Sequence, residues 1–225
     1  MIRNHIPIVD PLAMRCYCRF TSMVSRTNKG HVGAEQRFLA NGFGKGYAWI
    51  DLVNSMEYDG YGTSSDHLAD IAWIKSFRNH WRLRGLRITQ TNIRQLRRMR
   101  GALRQVAETL ASGARLSARD LDSINEALRT PIHRCLRQLR DLSYSLEVVP
   151  SRYDSQWVRA EIFRSLALTL ATGERQRLKI CPNPGCRWVF YDQTHGNTRK
   201  WCRDFRCGNR DKVRRLRARR AAVKR

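Results

Sequence analysis

Four of the seven cysteines lie in two pairs near the C-terminal end of the sequence. Cys181 and Cys186 are separated by four residues, as are Cys202 and Cys207, and fifteen residues lie between the two pairs. A structural zinc ion takes four thiolate or imidazole ligands, usually from two short segments that a loop brings together. The spacing therefore predicts one structural Zn²⁺ bound by these four cysteines.

Disulfide bonds and a catalytic zinc are both weaker interpretations of the cysteines. Paired disulfides are typical of small secreted domains, whereas this chain has 225 residues and shows no secretory signal. His195 could replace one cysteine as a ligand and leave an open coordination position, which catalysis at zinc requires. No Ser/His/Asp, Cys/His or glycine-rich phosphate-loop pattern accompanies it. We therefore expect a protein that is not an enzyme.

The charge of the chain indicates a polyanionic partner. The formal net charge is +24, and residues 199–225 contain thirteen Lys or Arg and only two Asp. Such a field attracts nucleic acid first and an anionic membrane surface second. No apolar run approaches the roughly 20 residues that cross a membrane. We expect nucleic acid as the partner, double-stranded DNA above all, no membrane span, and a cytoplasmic, nucleoid-associated protein.

The residues after the last cysteine predict a basic helix over 209–225. A zinc site that fixes the beginning of such a helix is a common way of presenting Arg and Lys to phosphates and base edges. Arg210, Arg214 and Arg217 lie on successive turns, so we expect them to face one groove together. A disordered basic tail that binds polyanions without sequence preference is the alternative. The candidate nucleic-acid-binding residues are Arg199, Lys200, Arg210, Lys212, Arg214, Arg215 and Arg217.

Aromatic residues near the cysteines leave RNA open as a second kind of nucleic acid. Trp188, Tyr191 and Trp201 could stack on unpaired bases. Stacking of this kind is how many proteins recognise single-stranded RNA. An RNA-binding protein that uses the same basic zinc module is therefore the alternative function.

The C-terminal stretch resembles the CGNR zinc finger over residues 181–217. The matching residues are Trp201-Cys202, Cys207-Gly208-Asn209-Arg210, Lys212, the F-x-D-x-S/T element Phe190, Asp192 and Thr194, and the basic Arg199. In that family the finger follows a helical domain called ABATE, and its description as a stress-induced transcription regulator is itself an inference. The resemblance therefore implies less about function than about fold. Together with the basic charge, it makes a zinc-binding, DNA-binding transcription regulator the leading hypothesis, with a helical domain that senses a signal or dimerises.

An apolar segment with two polar residues resembles the beginning of the ABATE domain. Residues 50–55, Ile-Asp-Leu-Val-Asn-Ser, correspond to L-D-F-V-N-T in that family. The pattern over residues 49–56 predicts a helix. Asp51 and Asn54 are a candidate ligand pocket. Hydrogen bonding to nearby backbone is the simpler interpretation, because buried polar groups need partners.

The apolar periodicity predicts a mainly α fold with a small β-hairpin or sheet, in the α+β class. The predicted helices run from a cap at Ser65 or Asp66 to about 80, over 91–112, from a cap at Ser117 to before Pro131, and over 155–173. Leu121, Ile124 and Leu128 are the predicted buried edge of the third of these helices. A hairpin is predicted from residues 132–139 and 142–149. In its second strand, Leu142, Tyr144, Leu146 and Val148 alternate with more polar residues, which is typical of a half-buried strand.

These patterns divide the chain into three parts. Residues 1–34 lack a period and are predicted to be a poorly ordered N-terminal arm. Residues 35–176 are an ABATE-like helical domain with a small β element, beginning with a short strand at 36–41, and residues 177–225 are the CGNR zinc finger and basic C-terminal helix. Almost no linker separates the last two parts, so we expect the finger to pack against the helical domain. A homodimer is an open alternative.

Overall fold

The structure, a computed structural model, describes residues 47–61, 63–139 and 141–223. The predicted arm at 1–34 and the predicted strand at 36–41 lie outside these ranges. The described part is mainly helical with small antiparallel two-stranded sheets, which confirms the predicted α+β class. Within the same ranges, no helix has the length and apolar character that crossing a membrane demands.

Helices and strands alternate irregularly along the described chain. The helices are α1 (Ala48–Asn54), α2 (Ile71–His80), α3 (Gln90–Ala111), α4 (Ala118–Leu128), α5 (Ser155–Thr172) and α6 (Asn209–Val223). The strands are β1 (Met56–Tyr58), β2 (Ser64–Asp66), β3 (Ile132–Gln138), β4 (Tyr144–Pro150), β5 (Leu178–Ile180) and β6 (Val189–Tyr191). β1 pairs with β2, β3 with β4, and β5 with β6, each antiparallel.

Helix α1 lies inside the core, and all seven of its residues are buried. It packs against α3, α5 and β6. The backbone N–H of Trp49 donates to Ser165 Oγ (3.0 Å), and its ring Nε1 donates to Thr169 Oγ1 (3.0 Å). So short a helix would not form alone in water, so its stability comes from this packing rather than from helix propensity.

The helical spacing of residues 93–110 predicts an apolar stripe on α3, and the structure confirms it except at Ile93, which is half-buried. The buried residues of α3 are Leu96, Met99, Leu103, Val106, Ala107 and Leu110. Arg100 interrupts the stripe, and its guanidinium donates to Asp66 (2.5 Å) and to Ser55 Oγ (3.1 Å). Burial raises the pKa of Asp66, but the hydrogen bonds from Arg100 and other donors hold that pKa below its usual value. The charged residue on the buried face is therefore paired, as buried charges must be.

The beginning of α2 differs from the prediction. The helix begins at Ile71 rather than after Ser65 or Asp66, and Asp70 is its N-cap, accepting from the N–H of Ala72 (2.8 Å). Asp66 instead caps the short 3-10 turn that precedes α2. Both aspartates are good caps, and the local sequence does not determine which of them begins the longer helix.

The beginning of α4 is confirmed, and its buried edge is partly wrong. Ser117 and Asp120 form both hydrogen bonds of the predicted capping box. Ile124 is buried as expected, but Leu121 is 47% exposed and Ala127 is buried instead. The helix therefore faces α5 through positions three residues apart, on a narrower stripe than the prediction assumed.

The β3–β4 hairpin has the predicted strands but not the predicted burial. The half-covered face carries Cys135, Ser145 and Glu147. The apolar face is exposed, so β4 alternates as predicted but the prediction that its apolar residues form the buried half is wrong. The exposed side chains of this face are Ile132, Leu136, Tyr144, Leu146 and Val148. Alternation determines which residues share a face, but it does not determine which face meets the body of the protein.

Asp51 places a carboxyl group inside the core, where it is 5% exposed. The indole Nε1 of Trp81 donates to Asp51 Oδ2 at 2.9 Å. Burial raises the pKa of Asp51 well above its usual value, and the hydrogen bond from Trp81 lowers it only in part. The folded state therefore favours the protonated acid.

Replacement of Asp51 by Asn is expected to stabilise the protein at pH 8. Because the folded pKa is raised, the folded state binds this proton more tightly than the unfolded chain, so wild-type stability falls as pH rises through the raised pKa. An amide still accepts from Trp81 and has no charge to desolvate. Thermal unfolding should show a higher melting temperature for Asp51→Asn at pH 8 and a smaller gain at pH 5.5.

The matched control removes an exposed carboxylate from α4, Asp122→Asn. Comparing the two variants at each pH removes effects that act on the whole protein. If Asp51→Asn gains no more than Asp122→Asn does between pH 5.5 and pH 8, Asp51 is ionised in the folded state and this account of it is wrong.

Candidate metal centre and basic helix

The four paired cysteines meet in one buried cluster. Their Sγ atoms all lie within 4.8 Å of one another. The Sγ atoms of Cys186 and Cys202 are 3.5 Å apart, and those of Cys202 and Cys207 are 3.6 Å apart. Four sulfur ligands at about 2.3 Å from a tetrahedral zinc ion lie about 3.8 Å from one another. The cluster therefore fits one structural zinc ion, as the sequence predicts.

Three of the thiols in this cluster have pKa values that their neighbours shift in opposite directions. Hydrogen bonding to Cys181 raises the pKa of Cys186 to about 12 and also raises the pKa of Cys202. Hydrogen bonds from Cys186 and then from Cys202 lower the pKa of Cys181 to about 2, so among these three thiols Cys181 ionises first. A divalent cation replaces the remaining protons and neutralises the thiolates.

Backbone hydrogen bonds hold the first pair of cysteines. The N–H of Cys181 donates to the carbonyl of Trp188 (2.8 Å), which continues the ladder between β5 and β6. The N–H of Cys186 donates to the carbonyl of Asn183 (2.9 Å). The side-chain Nδ2 of Asn183 donates to Cys207 Sγ (3.5 Å), so the two pairs are also connected directly.

Asp192 organises the loop between the two pairs and is completely buried. Its carboxylate accepts from Lys179 Nζ (2.7 Å), from the N–H of Arg199 (2.8 Å), and from both the N–H (2.9 Å) and the hydroxyl (2.6 Å) of Thr194. Burial alone would raise the pKa of Asp192, but these donors hold it below its usual range. In the F-x-D-x-S/T element, the aspartate is thus a buried carboxylate, and the threonine is one of the hydrogen-bond donors that stabilise it.

Arg199, a predicted nucleic-acid contact, lies within the finger. Its guanidinium donates to the backbone carbonyls of Trp201 (3.0 Å) and Cys202, and it lies 4.7 Å from the ring centre of Phe190. Lys200, the next predicted contact, is exposed, with its Nζ 5.6 Å from the ring centre of Trp201. Arg199 therefore has a structural role within the finger, while a nucleic-acid contact by the exposed Lys200 stays a prediction.

The remaining residues of the C-G-N-R motif also have structural roles. A Cβ on Gly208 would lie 3.2 Å from the Trp201 ring, which is tighter than ordinary van der Waals contact. Asn209 donates through Nδ2 to the carbonyl of Phe205 (3.1 Å) and so stabilises the turn that contains the fourth cysteine. Arg210 extends away from the finger toward the helical domain.

Arg210 contacts the loop that follows β1. Its Nη1 donates to the carbonyl of Asp59, and its guanidinium lies 3.9 Å from the ring centre of Tyr61. Gly60 lies between these two residues with φ +86°, and a Cβ there would collide with the Arg210 guanidinium. Only glycine adopts this backbone conformation easily and also leaves room for the arginine.

Asn54, at the end of α1, makes a second connection between the two parts of the protein. Its Nδ2 donates to the carbonyl of Val189 (2.8 Å), and the N–H of Val189 donates back to its Oδ1 (2.9 Å). Nearby, a Cβ on Gly185 would lie 2.7 Å from the backbone of Gly60. The finger therefore packs directly on the helical domain, as predicted from the short linker.

The candidate ligand pocket at Asp51 and Asn54 is accounted for by contacts within the protein. The amide of Asn54 bonds Val189, and the carboxyl of Asp51 accepts from Trp81, so both polar groups have protein partners. The simpler interpretation, hydrogen bonding to nearby backbone, is right only in part: Asn54 does bond backbone, but 135 residues away in sequence, and the partner of Asp51 is a side chain. A ligand at this point stays a prediction without further support.

Helix α6 leaves the body of the protein after its first turn. Asp211 is buried and accepts from Arg214 (2.7 Å) and Arg215 (2.9 Å). Every residue over 212–222 is exposed. The cations on this exposed helix are Lys212, Arg214, Arg215, Arg217, Arg219 and Arg220. The predicted basic helix is present, but Arg210 does not share a groove-facing surface with the other arginines, because it faces the loop after β1.

The three aromatic residues considered for RNA stacking are half-buried. Trp188 and Trp201 pack against the cysteine cluster. The Tyr191 hydroxyl accepts from the N–H of Glu174 (2.8 Å), and its ring packs against the main core. These rings therefore already serve the packing of the finger.

Sequence reasoning missed the partners that the helical domain offers to the finger. They include the Asp59 carbonyl and the Tyr61 ring, together with Glu57, which lies 3.6 Å from Arg206, and Glu108, which lies 2.8 Å from Arg187. Each contact joins residues far apart in sequence. The turn residues around Gly60 were the single local signal, and they indicate a loop without indicating what it contacts.

The fold and the cysteine cluster define the class: a helical domain packed on a four-cysteine zinc finger. Residues 177–220 match the family model of the CGNR zinc finger, and residues 46–174 match the ABATE model, described as "Putative stress-induced transcription regulator". The chain therefore belongs to the ABATE family and carries a CGNR zinc finger, which confirms the resemblance seen in the sequence. No curated protein matches the chain.

Zinc content is the direct test of the metal centre. Purified protein is expected to contain about one zinc ion per chain, and Cys202→Ser should lose most of it, because three thiolates and an alcohol bind zinc far less tightly. Cys135→Ser is the matched control, since Cys135 lies in β3 outside the cluster. Elemental analysis that finds wild-type zinc in Cys202→Ser would remove Cys202 from the site.

The Asn54 contact should couple the helical domain to the metal. Asn54→Ala leaves both backbone groups of Val189 without this partner, and we expect a loss of roughly 2–4 kcal/mol in the unfolding free energy. The loss should be much smaller in zinc-stripped protein, where β6 is no longer held in place. Denaturant unfolding of wild type and variant with and without zinc measures the coupling. Equal losses in the two states would show that Asn54 and the metal are independent.

Proposed function

We propose that the protein is a DNA-binding transcription regulator, associated with the nucleoid in the cytoplasm, whose zinc finger anchors a basic helix on double-stranded DNA. The observation that carries the proposal is the exposure of α6. All residues over 212–222 are exposed, and six of them are Lys or Arg. A helix without a packed face is marginal on its own, and neutralisation of its cations by phosphates would stabilise it.

The zinc centre and Arg210 together fix the direction of this helix. Cys207 lies two residues before α6, and Arg210, in its first turn, bonds the Asp59 carbonyl of the helical domain. A helix fixed at one end by metal and by a second domain has a defined position relative to the body of the protein. Such a helix can enter a major groove, whereas a free basic segment contacts phosphates without a fixed register.

The exposed cations favour DNA contact through arginine. Arg217 and Arg220 lie three residues apart and therefore on one side of α6. They lie opposite Asp211, which already pairs with Arg214 and Arg215. Arginine bonds phosphate and guanine in bidentate geometry, which suits a recognition helix better than lysine does. We assign base or phosphate contact to this side of the helix.

In this proposal the protein has no catalytic activity, and its helical domain supports the finger and senses a signal or dimerises. Four cysteine ligands close the coordination of a structural zinc ion. His195 is exposed and lies outside the thiol cluster. The half-buried state of Trp188 and Trp201 gives the RNA-binding alternative less support, because base stacking needs accessible rings.

The double variant Arg217→Ala/Arg220→Ala tests the role of α6. We expect its affinity for duplex DNA to fall at least about tenfold at 0.15 M salt and the salt dependence to flatten by about two counterions, one for each lost phosphate contact. The matched control is Arg94→Ala/Arg98→Ala, which removes the same charge from the exposed side of α3. The measurement is a titration of labelled duplex at several salt concentrations.

The titration separates three models. Loss confined to the α6 variant supports the proposal. Equal losses in both variants would show that binding follows net charge alone, and the helix would have no special role. A parallel titration with single-stranded RNA addresses the alternative function. Tighter binding to RNA than to duplex, with the same dependence on α6, would overturn DNA as the partner.

A further inference from the structure

The β3–β4 hairpin carries an apolar surface that no described residue covers. The surface, called here the hairpin face, consists of Ile132, Leu136, Tyr144, Leu146 and Val148, with Leu139 and Leu142 at the tip. These side chains are 44–73% exposed. The cross-strand pair Leu136 and Leu146 lies at the centre of the face, and both residues are 67% exposed.

In a stable monomer, the apolar face of a hairpin is expected to pack on the protein and its polar face to meet solvent, but here the two faces are reversed. Its polar face, with Cys135, Ser145 and Glu147, is the half-covered one, while its apolar face meets solvent. Within the described ranges, β3 and β4 contact mainly each other. A two-stranded hairpin is only marginally stable in water unless something packs against its apolar face. The exposed apolar face therefore indicates a binding surface for another molecule.

The area of the hairpin face is comparable to half of a stable protein interface. With roughly 150–200 Å² for a whole large side chain, the exposures amount to on the order of 700 Å². The largest apolar patch on a typical monomer is about 300–600 Å². A stable interface buries about 800 Å² on each partner. Two hairpin faces stacked on each other would thus bury close to the standard area.

We propose that the hairpin face is a homodimer interface, in which the hairpins of two copies stack face to face. A two-fold dimer uses the same patch on both subunits and needs a patch that fits itself. The hairpin face meets this requirement through the apolar pair Leu136 and Leu146 at its centre. Arg134 and Gln138 flank Leu136 on β3, and their long side chains can reach past the apolar residues to solvent. Stacked sheets of this kind pack about 10 Å apart.

Charge argues against nucleic acid as the occupant of this face. Arg134 is its sole Lys or Arg among the residues of β3 and β4 that point the same way. The cations of α6 offer a polyanion a far stronger site. The hairpin face therefore suits an apolar partner, and a second copy supplies an equal apolar surface. This inference stands independently of the proposed DNA-binding activity.

Leu146→Glu in the full chain tests the interface. A buried carboxylate at the centre of the face is expected to weaken dimerisation at least about a hundredfold, as loss of a central anchor residue does. Because the chain carries +24, an added negative charge lowers the overall repulsion between copies, so a loss cannot come from bulk charge. Ser145→Glu is the matched control, since it adds the same charge to the same strand on the opposite face.

Sedimentation equilibrium of nuclease-treated, zinc-loaded protein in about 0.5 M salt measures the association, with bound polyanions removed and charge screened. We expect wild type and Ser145→Glu to be dimers and Leu146→Glu to be a folded monomer that still unfolds cooperatively, at a lower temperature because it has lost its partner. A wild type that stays monomeric over the whole concentration range would overturn the proposal. So would a Leu146→Glu variant that remains dimeric.

Discussion

The concentration of four cysteine sulfurs in one buried cluster is the constraint on which the finger depends. Without a cation, the pKa values of Cys186 and Cys202 are raised while that of Cys181 is lowered, so the cluster keeps protons that tetrahedral coordination would replace. With a divalent cation, Cys202 and Cys207 are joined to the β5–β6 hairpin, and the turn before α6 becomes fixed. The direction of the basic helix therefore depends on metal binding by the cysteine cluster that precedes it.

The finger is also held on the helical domain by hydrogen bonds and by a cation–π contact. Asn54 bonds the backbone of β6 through both atoms of its amide, and Arg210 bonds the loop after β1 and stacks on Tyr61. Neither contact depends on the zinc ion directly, but each requires the finger to be folded. The two parts are consequently one packed unit, and a change in the helical domain can reach the first turn of α6 through Arg210.

Local signals in the sequence predicted the elements and the ligands well. The cysteine spacing, the stripe of α3 and the Ser117–Asp120 capping box each depend on residues within a few positions of one another, and each is confirmed. Long-range placement was not predictable. The partner of Arg210 lies about 150 residues away, and the exposed side of the hairpin depends on which face meets the body. Alternation and helical spacing contain no information about either.

Hydrogen–deuterium exchange of residues 209–223 tests most directly whether the metal orders the helix that we propose to bind DNA. The account predicts weak protection of α6 in the zinc-loaded protein, because its sides are exposed, and strong protection when duplex DNA is added. Zinc-stripped protein with the same duplex should gain little, because the beginning of the helix is no longer fixed. Equal protection by DNA with and without zinc would contradict the account, since the basic segment would then order itself on phosphates alone.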